Sequence, residues 1–309
     1  MSDFGAKALV ALGRLLLEQG YAFCTPTPET HRRVLARSPG RTAATLRDVF
    51  GWSLPFARGF LPDAIGRQLE RAGGLVARPD GTFTSAVRFS SLGDHLFVHS
   101  AYPTVESDSV FFGPDTYRFV RMLRAALANA PRAKRAVDVG CGSGAGGLCI
   151  ADVADRLVLA DINPRALAYA RANAELAGVS PRVEIADSDV LASVGGDVDL
   201  VIANPPYLVD EGARLYRDGG GALGTALSVR IARAAFERLA PGGRLLLYTA
   251  TPILEGEDPL LAELLPLRER ARVWSYEELD PDVFGEELDR PAYAAAERIA
   301  VVGLSAVRA

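Results

Sequence analysis

The sequence predicts an α/β protein: a doubly wound, mostly parallel sheet preceded by a smaller α+β unit. Three observations carry that prediction. From residue 136 onward, short apolar strands alternate with helical stretches, the pattern of strands joined by crossover helices. A glycine run at 140–147 lies between the first of these strands and the helix after it. Before residue 105 the apolar spacing is first helical and then alternating, which marks a different unit.

Taken in order, residues 6–20 read as an amphipathic helix. Ala6, Leu9, Val10, Leu12, Leu16 and Leu17 fall near helical spacing, and Gly20 can stop it. The stretch Thr25-Pro26-Thr27-Pro28 leads into a polar helix start near Glu29. Residues 42–50 and 61–72 read as two more helices, the second with Pro62 near its first turn and Gly73-Gly74 at its end. The period then changes to two, and residues 75–85 read as a hairpin around Pro79-Asp80-Gly81. Residues 87–89 and 95–99 are further strand candidates. Two helices followed by a hairpin resemble a winged helix.

In the second part, residues 136–139 form a strand that opens onto the glycines, with a helix to follow. Residues 157–161, 183–185, 198–202 and 244–249 are the next strands. Residues 164–177 and 225–239 are helices, ended by Gly178 and by Pro241-Gly242-Gly243. Residues 271–276 and 297–304 supply two late strands without a full helix between them. They predict a hairpin that closes one edge of a seven-stranded sheet.

Composition narrows the class. With 49% hydrophobic and 23% charged residues over 309 positions, collagen, coiled coil and wholesale disorder are excluded. No uncharged apolar run reaches the roughly 18 residues of a membrane span, so no membrane partner is expected. The start, Met1-Ser2-Asp3-Phe4-Gly5, carries an acid early and does not resemble a signal peptide. Cys24, Cys141 and Cys149 are too few and too oddly spaced for a disulfide framework, which fits a cytoplasmic location. Together with three histidines they form no ligand-spaced cluster, so no metal is expected. Charge is unevenly divided. Of 34 Lys+Arg and 38 Asp+Glu, residues 1–130 hold 15 and 11, leaving the remainder acidic. As a nucleic-acid footprint that surplus is weak, and a solvated arginine-rich surface accounts for it.

The glycine run offers a ligand site. Gly140, Cys141, Gly142 and Gly144 let the backbone turn tightly and let a ligand approach its N–H groups, Cys141 contributing mainly backbone. Asp161, followed by Ile162, ends the next strand, where a carboxylate accepts from ribose hydroxyls. Gly142, Gly144 and Gly147 also satisfy the dinucleotide spacing, so NAD competes as the ligand and an oxidoreductase as the activity. Asp138 tips the balance. An acid just before the glycines repels a pyrophosphate and suits a ligand bearing an ammonium and a sulfonium, which points to S-adenosylmethionine. After the third strand, Ser188-Asp189 places a carboxylate for an adenine amine.

The string Asn204-Pro205-Pro206-Tyr207 follows the fourth strand and decides the chemistry. Its prolines fix the backbone and remove two donors. The Asn204 side-chain oxygen and the Pro205 carbonyl then become acceptors at the carboxyl edge of the sheet. Such a pair holds both hydrogens of a planar amide or aromatic amine, with Tyr207 stacked on its face. That leaves the nitrogen lone pair aimed at a methyl donor.

On these residues the second part resembles the class I, Rossmann-like S-adenosylmethionine-dependent methyltransferases of the Asn-Pro-Pro-Tyr group. It is most similar to the release-factor glutamine methyltransferases, which methylate the amide nitrogen of a protein glutamine. The matching strings are Val137-Asp138-Val139-Gly140-Cys141-Gly142-Ser143-Gly144, Ala160-Asp161-Ile162-Asn163-Pro164, Ala170-Arg171-Ala172-Asn173-Ala174, Ser188-Asp189 and the quartet at 204–207. Upstream, Gly113-Pro114-Asp115-Thr116 resembles a segment that helps to close the family's cofactor pocket. The resemblance implies Asp138 and Gly140 near the methionine moiety, Asp161 on the ribose and Asp189 near the adenine. It places Asn204 and Tyr207 at the target nitrogen, with Asn204 expected to touch the cofactor as well. Tyr117 departs from the family, which has Glu there, and the first 105 residues do not look like its usual helical bundle.

The implied organisation is a substrate-recognition unit at 1–105, a connecting segment and helix at 106–135 that closes the cofactor site, and a catalytic unit at 136–309. Pro206, Tyr207, Arg217 and Asp218 are the candidate substrate contacts. The last two lie in a stretch, 216–221, whose triple glycine implies mobility. His95 and His99 share a strand face with no nucleophile near them and read as core or rim; Trp52, Phe56 and Phe60 read as core. The acceptor is a protein glutamine, in a release-factor-like partner, or a nucleobase amine (adenine N6 or guanine N2) of RNA or DNA. Arg32, Arg33, Arg37, Arg41, Arg47, Arg58, Arg67 and Arg71 favour the nucleic acid. A small-molecule acceptor and a non-catalytic binding module are the remaining classes.

Overall fold

Leucines at helical spacing make the first element. Helix α1 (Asp3–Glu18) buries Leu9, Leu12 and Leu16 completely, each worth about 1.5–3 kcal/mol, while Leu17 faces solvent. The structure, a computed structural model, describes residues 3–212 and 214–309, so Met1 and Ser2 of the acidic start lie outside it. Helix α2 (Pro28–Ala36) begins where Thr27 caps it, the hydroxyl accepting from the Thr30 N–H at 3.1 Å. Helix α3 (Leu46–Phe50) starts later than residue 42, because Thr45 and Asp48 form a capping box that fixes its first turn. Helix α4 (Asp63–Arg71) follows Pro62. Strands β1 (Leu75–Ala77) and β2 (Phe83–Ser85) form the expected hairpin around Asp80 and Gly81. A second ribbon, β3 (Val87–Leu92) with β4 (His95–Ser100), turns at Gly93, whose φ of +58° suits glycine.

After α5 (Pro114–Leu127) the chain alternates. In order come β5 (Ala133–Val139), α6 (Ala145–Leu148), β6 (Ala154–Asp161), α7 (Pro164–Leu176), β7 (Val183–Asp187) and β8 (Val198–Ala203). Then follow α8 (Ala226–Arg238), β9 (Leu239–Ile253), α9 (Pro259–Leu264), β10 (Ala271–Asp280) and β11 (Arg298–Arg308). One seven-stranded sheet results, in the order β10-β11-β9-β8-β5-β6-β7. Strands β7, β6, β5, β8 and β9 pair in parallel, and β11 runs against both β9 and β10. The doubly wound, mostly parallel sheet and its closing edge hairpin are as predicted. The helix after the glycine run is shorter than expected, a single turn. Gly146 and Gly147 are poor helix formers, and β6 begins only a few residues further on.

Helix α7 is packed on two sides. Leu167, Ala170 and Ala174 join the core against the sheet. Ala166, Tyr169 and Ala172 join another core with Leu9 and Leu16 of α1, Phe89 of β3 and Val98 of β4. A Cβ on Gly13 of α1 would stand 2.8 Å from Leu176, so the two helices are in close contact. Asn173 pins the junction. Its amide accepts from Val98 N–H at 2.8 Å and donates to the carbonyls of Val98 at 3.0 Å and Ser143 at 2.8 Å. Among the described residues no helix is long and apolar enough to cross a membrane.

Candidate active site

Strand order reverses between β5 and β8, and ligands of doubly wound sheets bind at the carboxyl ends of such strands. A cavity of ≈ 520 Å³ opens there. Asp138, Gly140, Cys141 and Gly142 line it from β5, Asp161 and Ile162 from β6, and Asn204, Pro205, Pro206 and Tyr207 from the exit of β8. Ser188 and Asp189 complete one wall, and Arg217 another. Two predicted residues are not on the lining. Gly144 supports the loop from behind at φ +79°, and the Asp218 carboxylate accepts from Gly220 N–H inside its own loop at 3.1 Å.

The glycine loop leaves room where a ligand needs it. Gly140 and Gly142 have φ of +66° and +54°, and a Cβ on Gly140 would meet nothing. The next glycines are tight: Gly147 N–H donates to Asp138 Oδ2 at 2.7 Å, and a Cβ on Gly147 would stand 3.2 Å from Asp138. Burial pushes the Asp138 carboxyl up to about 7, with the Asp161 charge adding to it. Asp161 is also raised by burial, while its oxygens accept from Asn163 and Gly142 N–H groups at 2.9 Å. Ile162 is 49% exposed, an apolar face turned to the cavity. The Asp189 carboxylate, on the rim, is paired with Arg230 at 2.5 Å. Cys141 is buried, and burial raises its thiol, which suits a backbone role.

Asn204 is half-buried on the cavity wall, and among the described residues nothing hydrogen-bonds its side-chain amide. Tyr207 beside it lies against Asp115; burial and that carboxylate raise its phenol well above the usual range. Asp115, in the first turn of α5, accepts from the Tyr248 hydroxyl at 2.9 Å and pairs with Arg118 at 3.2 Å. The segment 113–116 therefore reaches the cavity, through Asp115 and Thr116. Tyr117 turns the other way. Its hydroxyl accepts from Thr25 N–H at 3.1 Å, tying α5 to the first unit.

The segment at 216–221 is bonded to the loop that follows β8 instead of hanging free. Leu208 N–H donates to the Arg217 carbonyl at 3.2 Å, and Gly219 N–H to the Leu208 carbonyl at 2.8 Å. Gly219 and Gly224 serve close approach: a Cβ on either would run into backbone carbonyls of that loop. Arg217 is ion-paired with Asp210 at 3.3 Å and with the buried Glu287 carboxylate.

Several lining residues were missed in the sequence. Phe284, Glu286, Glu287 and Arg290 come from the connection between β10 and β11, and Pro28, Glu29 and Arg32 from α2. Tyr102 and the stacked pair Phe111–Tyr216 stand beside them, the pair with centroids 5.5 Å apart. The arginines of the first unit are less available than their number implied. Arg32 and Arg33 share Glu29 at 2.7 and 2.6 Å, Arg41 holds Asp48 at 2.6 Å, and Arg58 lies over the Phe83 ring. His99 is buried and bonded to Ser90 Oγ at 2.7 Å. Among the described residues no group of three His, Cys, Asp or Glu side chains could hold a metal ion.

Residues 116–265 match the family described as methyltransferase small domain. The release factor glutamine methyltransferase of Koribacter versatilis is 32% identical over 181 residues, 53% of this chain and 60% of that protein. The ribosomal RNA small subunit methyltransferase C of Chromohalobacter salexigens is 27% identical over 232 residues, 73% of this chain and 62% of that protein. The chain thus spans about three fifths of the length of these relatives. Among solved structures, the T. thermophilus 16S rRNA N2 G1207 methyltransferase with AdoMet and guanosine aligns at a TM-score of 0.48 and 16% identity. That alignment covers 79% of this chain and 62% of that one.

Proposed function

We propose that this chain, whose residues 116–265 carry a methyltransferase small domain, is an S-adenosylmethionine-dependent N-methyltransferase acting on a protein glutamine. The observation that carries the reading is the free Asn204 amide beside Pro205, at the mouth of a cavity whose floor is a buried carboxylate. Such a floor favours a cation, since Asp138 ionises at little cost only beside a positive charge. Asp138 would face the cofactor's cationic amino-acid end, Gly140 and Gly142 its methionine part, Asp161 the ribose hydroxyls and Ser188-Asp189 the adenine. Bound there, S-adenosylmethionine supplies a methyl group on an electron-poor sulfonium.

The chain itself orients the acceptor. Asn204 Oδ1 and the Pro205 carbonyl take the two hydrogens of a planar nitrogen, and Tyr207 packs on its face. The lone pair is then held on the remaining direction, toward the cofactor. Fixed acceptors need no reorganisation at the moment of transfer. The buried Asp115 behind Tyr207 keeps that ring in place.

The similarity to release factor glutamine methyltransferases supports a glutamine acceptor. A nucleobase amine of RNA is the second reading, favoured by the rRNA methyltransferase relative, whose match extends over more of this chain. Incubating a cell extract with labelled S-adenosylmethionine and the protein separates the two. Label released by protease and stable to nuclease supports glutamine; the reverse supports RNA; no label above an Asn204→Ala control overturns the proposal.

A further inference from the structure

Phe284 and Tyr207 both line the cavity, their ring centroids 6.0 Å apart and their planes tilted by 49°. The rings make a narrow wedge. A nucleobase stacked on Tyr207 needs most of that ring's face, and a base between two rings needs about 7–8 Å from plane to plane. An amide on an aliphatic stem is far smaller and enters a wedge edge-on.

Phe284 is held where it is. Its φ of +56° is a left-handed conformation that a bulky residue adopts only when its surroundings impose it. On one side Val283 N–H donates to the Ile299 carbonyl at 2.9 Å, continuing the β11 pairing. On the other, Glu287 N–H closes a turn on the Phe284 carbonyl at 2.7 Å. The buried Glu287 carboxylate is gripped by Arg217 and, at 2.7 Å, by Arg290. Two residues past Tyr207, Val209 N–H donates to the Tyr293 hydroxyl at 2.8 Å, so the whole connection is stapled to the catalytic loop.

From this we infer that Phe284 is a specificity-determining residue: it leaves room on the face of Tyr207 for a side-chain amide and too little for a nucleobase. The inference rests on Asn204–Tyr207 being the acceptor site, and it selects the amide among planar nitrogens.

Ligand binding tests it apart from catalysis. The protein is saturated with S-adenosylhomocysteine to fill the cofactor pocket, then titrated by ligand-detected NMR with guanosine and with N-acetylglutamine amide. Wild type is expected to bind the glutamine amide and to reject guanosine. Phe284→Ala should gain guanosine affinity by at least about tenfold, the scale at which one group in an apolar pocket discriminates. Phe284→Trp, which keeps a ring beside Tyr207, should continue to exclude it, and Phe284→Gly, which suits the left-handed backbone, carries the same comparison should the alanine variant not fold. Equal guanosine binding by wild type and the opened variants overturns the gate. Methyl transfer to a glutamine peptide, run alongside, separates the two ideas. Its absence counts against the proposed activity, while the binding comparison still decides the role of Phe284.

Discussion

The hydroxyl of Tyr248, in the middle of β9, donates to the carboxylate of Asp115 in the first turn of α5 across 2.9 Å. The bond anchors α5 to the sheet directly behind Tyr207. Asp115→Ala leaves a buried hydroxyl unsatisfied and is expected to cost about 1–3 kcal/mol in thermal or denaturant melts. Asp115→Asn retains an acceptor, so it should melt near wild type and still lower kcat by roughly tenfold as Tyr207 loses its charged neighbour. An asparagine variant with unchanged kcat would show that Tyr207 needs no such support.

On the proposed reading, Asn204→Ala removes one of two acceptors for the target nitrogen and leaves Asp138 in place. Methyl transfer is expected to fall on the order of 10²–10³-fold, with S-adenosylmethionine affinity by calorimetry within a few-fold of wild type. A comparable loss of affinity would place Asn204 at the cofactor and not at the acceptor.

The raised Asp138 carboxyl makes two opposite pH predictions. A cationic ligand selects the ionised form, so S-adenosylmethionine binding should tighten as pH rises from about 6 to about 8, by at most about tenfold, and level off above. Stability of the ligand-free protein runs the other way. The folded state holds its proton up to about 7 while the unfolded chain releases it near 3.8, so stability declines between those values and is flat beyond. Asp138→Asn should therefore bind weakly at every pH, yet be more stable than wild type at pH 8 by on the order of 1–4 kcal/mol, and alike at pH 4 or below. Calorimetry and urea melts across that range would settle both signs.

Glu287 is buried with Arg217 and Arg290 on either side. Glu287→Ala removes the carboxylate held by Arg290 and one of the two that hold Arg217, and a loss of about 1–3 kcal/mol is expected. Activity should fall with it, since the β10–β11 connection would lose one of its ties to the segment that follows Tyr207. Melting temperature and kcat/KM of the purified variant are the readouts; Glu287→Gln should recover part of both.

What could be read in the sequence was what is local. Asp138, Asp161 and Asn204 each end or follow a strand, and a parallel sheet gathers such ends without further information. Phe284 and Arg290 reach the cavity from a connection some 80 residues beyond Tyr207, and Glu29 and Arg32 from a helix more than 100 before Asp138. Nothing in their own neighbourhoods marks them. Glycine was ambiguous for a related reason. The triple glycine at 219–221 looked like freedom of movement, whereas at Gly219 close backbone approach is what excludes a side chain. Counting charges also hides pairing: Glu29 sits one turn before Arg32 and Arg33 and is ion-paired with both.

Helix α7 bears on how such a protein can change over generations. With one face in each core, it leaves the first hundred residues no seam along which they could be lifted out and replaced. A new acceptor would have to be acquired in place, by substitutions around the existing mouth at positions such as Arg32, Tyr216 or Phe284. The lineage is therefore expected to diversify by point changes at its rim and not by shuffling of modules.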